Sequence, residues 1–224
     1  GGIILAKRII VVGAGIIGAS IAWHLAKAGA EVTVIEAGEP GGVATRNSWA
    51  WINASWGNPE VYFHLRTRSM EEWRRIDREV PGLEVSWCGG LLWDLPPEQL
   101  EAFAAEHSSW GYGIRRVNRA EALRIAPNIK QPPDFALHVA KEGKVEPLAT
   151  ALTFLASAEA MGVKVLQNSH AKWLVEKDGR VTGVCINEGV LHADEVIIAA
   201  GAGALALLKS IGLFYDIGAP AGLL

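Results

Sequence analysis

Glycines 13, 15 and 18 stand in the order Gly13-Ala14-Gly15-Ile16-Ile17-Gly18, and a carboxylate, Glu36, follows about 20 residues after the first of them. Each position has its own chemical reason. The first glycine permits a tight turn, the second lets a pyrophosphate come close to the bare backbone, and the third lets a helix pack closely on a strand. Phosphates then meet a helix N-terminus, whose unpaired N–H groups and dipole favour negative charge. Glu36 stands where ribose hydroxyls need an acceptor, and it would repel a phosphate at the ribose 2′ position.

Such a site needs a strand, a turn, a helix and a second strand, and the flanking residues supply them. Arg8–Val12 is a β-branched run that reads as a buried parallel strand. Ile17, Ile21, Leu25 and Ala28 repeat at helical spacing until Gly29, and Val32–Ile35 forms the next strand. The uncharged stretch from Ile9 to Ala26 has the length of a membrane span, but its three glycines and the close Lys27 fit the βαβ unit better. No membrane association is indicated.

Composition narrows the partners. In 224 residues, 21 basic and 24 acidic side chains leave a net charge of -3, which offers nothing to nucleic acid or an anionic membrane. A small molecule is the expected partner. Cys88 and Cys185 lie far apart, without metal-type spacing, so neither a disulfide framework nor a metal site is expected and a cytoplasmic location fits.

After Glu36 the chain enters a glycine- and proline-rich loop through Ser48, and seven of its nine tryptophans then fall between Trp49 and Trp110. A helix from about Pro59 to Val80 is predicted, with Leu65, Trp73, Ile76 and Val80 on one face. The tryptophans read mainly as core and apolar wall, Trp49 and Trp51 being the candidates for ligand contact. From Gly143 regular structure returns: a helix Pro147–Ala160, a strand Val163–Gln167, and a meander of Lys172–Glu176, Arg180–Ile186 and Val190–His192. Glu195–Ala199 is a further buried strand, running into Ala200-Gly201-Ala202-Gly203.

The glycine fingerprint alone does not separate FAD from NAD. The combination of the opening through Glu36-Ala37, the segment Gly143-Lys144-Val145-Glu146-Pro147, and Ala193 through Ala202 resembles the FAD-dependent oxidoreductases of the D-amino-acid oxidase family, over nearly the whole chain. That resemblance implies a Rossmann-like α/β FAD-binding fold with a β-meander, interrupted by an α+β substrate segment. It divides the chain into 1–48 and 143–212 for FAD, 49–142 for substrate, and 213–224 as the start of a second substrate segment. It implies non-covalent FAD held at Gly13–Gly18, Glu36 and Ala37, with Arg46, Asn47 and Ser48 reaching the cofactor, Ala171 offering backbone to adenine, and Ala200 and Gly201 closing over the ADP moiety. Arg46 reads either as a phosphate partner or as a solvated loop arginine.

The implied reaction is oxidation of the C–N bond of an amino acid or secondary amine by hydride transfer to flavin. No catalytic residue is assigned, because the family's carboxylate-binding arginine and tyrosine generally lie farther along the chain. Tyr62, His64 and Arg66 are polar candidates without a role. Two departures stand out. Gly203 and Ala204 replace the tryptophan and hydroxyl residue common in the family, and the chain stops at Gly222-Leu223-Leu224. The second departure predicts a truncated chain, and an unfinished sheet edge would favour self-association or a partner that completes the site. An inactive flavin-binding subunit and an NAD-dependent dehydrogenase are the alternatives.

Overall fold

The computed structural model describes residues 5–218. The Gly1-Gly2 start, and the Gly222-Leu223-Leu224 end, lie outside the described residues. In chain order the first elements are β1 (Arg8–Val12), α1 (Ile16–Lys27), β2 (Glu31–Ile35) and a single-turn α2 (Val43–Arg46). The middle of the chain forms β3 (Ala50–Ile52), α3 (Glu60–Glu79), β4 (Gly90–Leu92), α4 (Pro97–Ser109), β5 (Arg115–Asn118), α5 (Arg119–Ile125), β6 (Phe135–Val139) and β7 (Gly143–Val145). The last stretch forms α6 (Pro147–Ala160), β8 (Lys164–Leu166), β9 (Trp173–Lys177), β10 (Arg180–Ile186), β11 (Gly189–His192), β12 (Glu195–Ile198) and α7 (Ala204–Lys209). Leu213–Gly218 carries no regular element.

These elements gather into two compact units. One holds the residues up to Trp49, Val80–Leu83, and those from Glu146 onward; the other holds Ala50–Glu79 and Glu84–Val145. β7 thus goes with the second unit, because it pairs antiparallel with β3, Trp51 lying opposite Lys144.

The first unit is built on a parallel sheet of order β12-β1-β2-β8. β1 has a neighbour on each side, so Ile9–Val12 are all buried, as an uninterrupted β-branched run requires. α1 and α6 approach through small residues, Ala19 and Ala22 on one and Ala151 and Ala158 on the other, all fully buried. The Trp23 indole N–H donates to Ser157 Oγ at 3.0 Å across that contact. Pro147 opens α6 with the Glu146 side chain capping the Ala149 N–H at 3.3 Å. β9, β10 and β11 form the expected antiparallel meander. Asp178 and Gly179 both take positive φ, 52° and 76°, as the two-residue hairpin between β9 and β10 demands.

The second unit is α+β, with α3, α4 and α5 beside the β3–β7 pair and an antiparallel sheet of order β4-β6-β5. Its core centres on Phe63, Leu100 and Leu137, with Trp51, Trp56, Trp73, Trp87 and Trp110 packed against it. Burying Phe63 fully contributes about 1.5–3 kcal/mol. Most tryptophans here are therefore core and wall, whereas Trp49 of the first unit is 64% exposed.

One helix-face expectation is corrected. Leu65 is 64% exposed, while Phe63 and Met70 are buried. At 100° per residue Leu65 points about 200° around the helix from Phe63, and the aromatic core chose the face of Phe63.

Candidate functional site

β1 delivers the chain to Gly13, which has φ +108° and donates its N–H to the Ile35 carbonyl at 2.8 Å. A Cβ at Gly13 would strike the Ala199 carbonyl, and one at Gly18 would strike the Gly13 carbonyl. Gly15 differs: its nearest neighbour would be Thr45 Oγ1 at 3.2 Å, so nothing of the backbone crowds it. The first and third glycines are thus demanded by packing, and the second leaves bare backbone open at the start of α1. That helix carries no acidic residue in its first turn and no side-chain cap on Gly15, which suits an anion.

Glu36, at the end of β2, folds back over the turn. Its Oε1 accepts the Ala14 N–H at 3.1 Å and its Oε2 accepts the Gly38 N–H at 2.8 Å. A carboxylate has about four lone-pair positions, so two remain for hydroxyls. A cavity of about 170 Å³ opens beside it, lined by Gly13, Glu36 and Ala37 together with Ala171, Ala200 and the α7 residues Ala206 and Leu207. Five of the residues singled out in the sequence therefore meet around one apolar hollow with a single carboxylate at its edge.

The other named residues sit elsewhere. Ala14, Gly15, Ile16, Ile17 and Gly18 form the turn and first helical turn rather than the cavity wall, Ile17 being 67% exposed, and Gly201 opens a 3₁₀ turn over Gly201–Gly203. The loop of residues 41–48 does reach the glycine turn, through Gly42 against Gly15 and through Thr45 Oγ1, which accepts the Ile16 N–H at 3.0 Å. Arg46 is tied within that loop, donating to the Pro40 carbonyl at 2.8 Å and lying 3.7 Å from Glu39. Asn47 donates to the Val43 carbonyl at 2.8 Å and Ser48 to the Thr45 carbonyl at 3.0 Å.

Sequence reasoning passed over Thr45, Ser169, His170 and Lys172. The last three line the cavity, and the Ser169 N–H donates to the Glu36 carbonyl at 2.9 Å. A signal existed for Thr45, a hydroxyl beside an arginine in the loop after the acidic residue. The others come to the site only because β8 pairs with β2, Leu166 opposite Ile35.

The second unit holds a separate polar cluster. Glu142 is fully buried and accepts from Ser55 Oγ at 2.6 Å, Tyr112 Oη at 2.6 Å and Trp51 Nε1 at 2.8 Å. Burial pushes its carboxyl above the usual carboxylate range, against those hydrogen bonds and the Arg66 charge. Burial and the adjoining Glu142 likewise raise the Tyr112 phenol. Of the three polar candidates on α3, Tyr62 is half exposed, His64 lies 3.5 Å from Glu60 at the surface, and Arg66 alone turns into the loop of residues 53–58. Among the described residues no group of His, Cys, Asp and Glu could hold a metal, and no helix is long and apolar enough to cross a membrane.

Residues 8–216 match the family described as FAD dependent oxidoreductase. The oxidoreductase YurR of Bacillus subtilis is 29% identical over 94% of this chain and 59% of its own length. A glycine oxidase of Pseudomonas aeruginosa is 31% identical, over 93% of this chain and 59% of its own. The crystal structure of L-proline dehydrogenase from P. horikoshii superposes with a TM-score of 0.81 at 26% identity, covering 96% of this chain and 58% of that one. The chain spans less than three fifths of the length of each of these relatives.

Proposed function

From the membership of this chain in the family of FAD-dependent oxidoreductases, of the amino-acid oxidase type, we propose that its first unit binds FAD non-covalently through the ADP half. The observation that carries this reading is the meeting of Gly13, Glu36, Ala37, Ala171 and Ala200 around one cavity at the glycine turn. Gly15 and the first turn of α1 beyond Ile16, whose N–H Thr45 holds, would take the pyrophosphate, Glu36 the ribose hydroxyls, and the apolar hollow the adenine. Arg46, Asn47 and Ser48 stand on the loop whose Gly42 and Thr45 lie against Gly15, and their donors are assigned to phosphate oxygens. Ala200 and Gly201 would close over the same half of the cofactor.

We further propose that the substrate is an amino acid or secondary amine, oxidised at its C–N bond, and that the second unit belongs to its recognition. When bound, the flavin accepts the hydride that leaves the carbon beside the amine nitrogen. The chain's own residues hold the cofactor and shape the surroundings; this activity is proposed for the polypeptide together with the remaining length its relatives carry, on the same chain or on a partner. Glycine oxidase and L-proline dehydrogenase among the similar proteins support the substrate class.

The test is the visible spectrum of the purified protein, then anaerobic addition of glycine, sarcosine, proline and a panel of D-amino acids. Flavin absorbance that bleaches with one of them supports the whole reading. Flavin that never bleaches supports cofactor binding alone, and a folded protein unable to take up added FAD overturns both.

A further inference from the structure

In the second unit the loop of residues 53–58 carries a strained backbone. Trp56 takes φ +66°, a left-handed conformation that bulky side chains rarely adopt, and Gly57 follows at +54°. Such positions persist only where the surroundings over-determine them. Here the hold comes from three directions. The Trp56 ring packs on Phe103 with centroids 4.7 Å apart. Arg66 of α3 donates to the Ser55 carbonyl at 3.0 Å and to the side-chain oxygens of Asn53 and Asn58 at 2.6 Å and 2.9 Å. From the core, Glu142 Oε1 accepts the Ser55 and Tyr112 hydroxyls, both at 2.6 Å, and Tyr112 Oη in turn accepts the Ala54 N–H at 3.0 Å.

The third hold depends on charge. An ionised carboxylate only accepts, which suits the two hydroxyls on Oε1 and the Trp51 indole on Oε2 at 2.8 Å. A proton from solvent turns one oxygen into a donor. On Oε2 it would face an indole N–H that cannot accept, beside Gly90, where even an added Cβ would strike that oxygen. On Oε1 it obliges one hydroxyl to turn over. If Tyr112 turns, its own hydrogen is left with Met70 Sδ at 3.8 Å, a weak acceptor. If Ser55 turns, its hydrogen has no second acceptor among the described residues. Either way a bond that holds the loop is lost, together with the attraction between the carboxylate and Arg66.

Few charged or titratable groups face Glu142. Arg66 comes from α3 and Tyr112 from the turn after α4; β3 presents Trp51, and β4 the backbone of Gly89 and Gly90. His138 of β6 lies against Gly89, the exposed Lys141 and Lys144 flank Glu142 in sequence, and His107 packs on Phe63, which touches Tyr112. Burial outweighs the hydrogen bonds and holds the carboxyl above its ordinary value. The folded chain therefore binds this proton before the unfolded chain does, and its uptake does not itself unfold the protein.

We propose that Glu142 is a proton-operated latch on the loop of residues 53–58: ionised, it holds the strained loop through Ser55 and Tyr112, and on taking up one proton it releases it. The release reshapes the cleft of about 230 Å³ that Trp51, Asn53 and Arg66 line.

The experiment is fluorine NMR of the full chain carrying fluorotryptophan, titrated from about pH 8 to about pH 5. Trp51→Phe, Trp56→Phe and Trp110→Phe assign the resonances. In wild type the Trp51 and Trp56 resonances should move along one common sigmoid, and in Glu142→Gln both should stay fixed. Trp110, beside His107, reports that histidine separately. His138→Gln should leave the sigmoid where it is. Ser55→Ala keeps the test open if Glu142→Gln does not fold: it takes a donor from the ionised form, so the midpoint should rise by roughly one pH unit, the scale of a lost hydrogen bond to a charged group.

A sigmoid that survives in Glu142→Gln, moves with His138→Gln or ignores Ser55→Ala overturns the latch. So does the absence of any transition, and so does a Trp51 resonance that titrates while Trp56 stays still, which would be protonation without release. The measurement needs no flavin, so its outcome stands apart from that of the proposed function.

Discussion

Glu36 reaches back across the glycine turn to accept the Ala14 N–H at 3.1 Å, so the acid that would bind ribose also braces the turn that would bind phosphate. One side chain serves both ends of the proposed half-site. Glu36→Gln keeps a single acceptor oxygen where two are used, and removes the charge. The dissociation constant for FAD is expected to rise about 10- to 100-fold, the scale of lost hydrogen bonds to an ionised group. Fluorescence titration of the apoprotein with FAD reads this directly.

Gly15 and Gly18 should separate binding from folding. Gly15 has φ -71° and ψ -176°, which any residue adopts, and its added Cβ would meet only the Thr45 side chain. Gly15→Ala should therefore cost less thermal stability than Gly18→Ala while weakening FAD. In Gly18→Ala the methyl meets the Gly13 backbone carbonyl, and overpacking of this kind costs about 1–3 kcal/mol. A melting curve and an FAD titration on each variant are sufficient; equal losses in both would count against the division of roles.

Tyr112→Phe tests the buried cluster. The hydroxyl both donates to Glu142 at 2.6 Å and accepts the Ala54 N–H at 3.0 Å, so its removal strips a donor from a buried carboxyl and leaves a buried N–H without an acceptor. The expected loss is about 1–3 kcal/mol in urea unfolding. A loss below a few tenths of a kcal/mol would show that water or another group replaces the hydroxyl.

His107 gives the second unit an acid-sensitive point. Its ring is 1% exposed among Phe63, Phe103 and Trp110, its Nδ1 faces the Phe103 carbonyl at 3.2 Å, and its Nε2 has no partner. The carbonyl can only accept, so Nδ1 carries the proton of the neutral ring. Burial holds the imidazole below its ordinary value of 6.5. The unfolded chain therefore takes up the proton first as pH falls. The stability contributed by the neutral ring is complete above about pH 6.5 and is lost as pH drops from there through the lower folded value. Urea midpoints between pH 8 and pH 5 should decline more steeply for wild type than for His107→Phe. Parallel slopes would remove His107 from the acid response.

Local sequence was sufficient wherever the determining contacts are local. The β-branched run of β1, the helical repeat of α1 and the glycines between them act over a few residues, and the structure returns them within two residues of the expected ends. Asp178-Gly179 suits the hairpin of the expected meander for the same reason: two successive positive φ angles favour those residue types. The acidic residue at 36 was legible because the length of the βαβ unit places it.

What the tertiary structure decided is what depends on residues far apart in the chain. Ser169 reaches Glu36, and His170 the cavity beside it, because β8 pairs with β2, a choice among parallel strands that periodicity does not encode. The exposed Leu65 had the apolar character and spacing of a core residue, yet the helix face was settled by how Phe63 meets Trp110 and Tyr112. Nothing local in the sequence marks Glu142; its burial is offset by donors 91, 87 and 30 residues away. Short-range sterics can be read along the chain, whereas desolvation and the pairing of charges are set by which segments fold against one another.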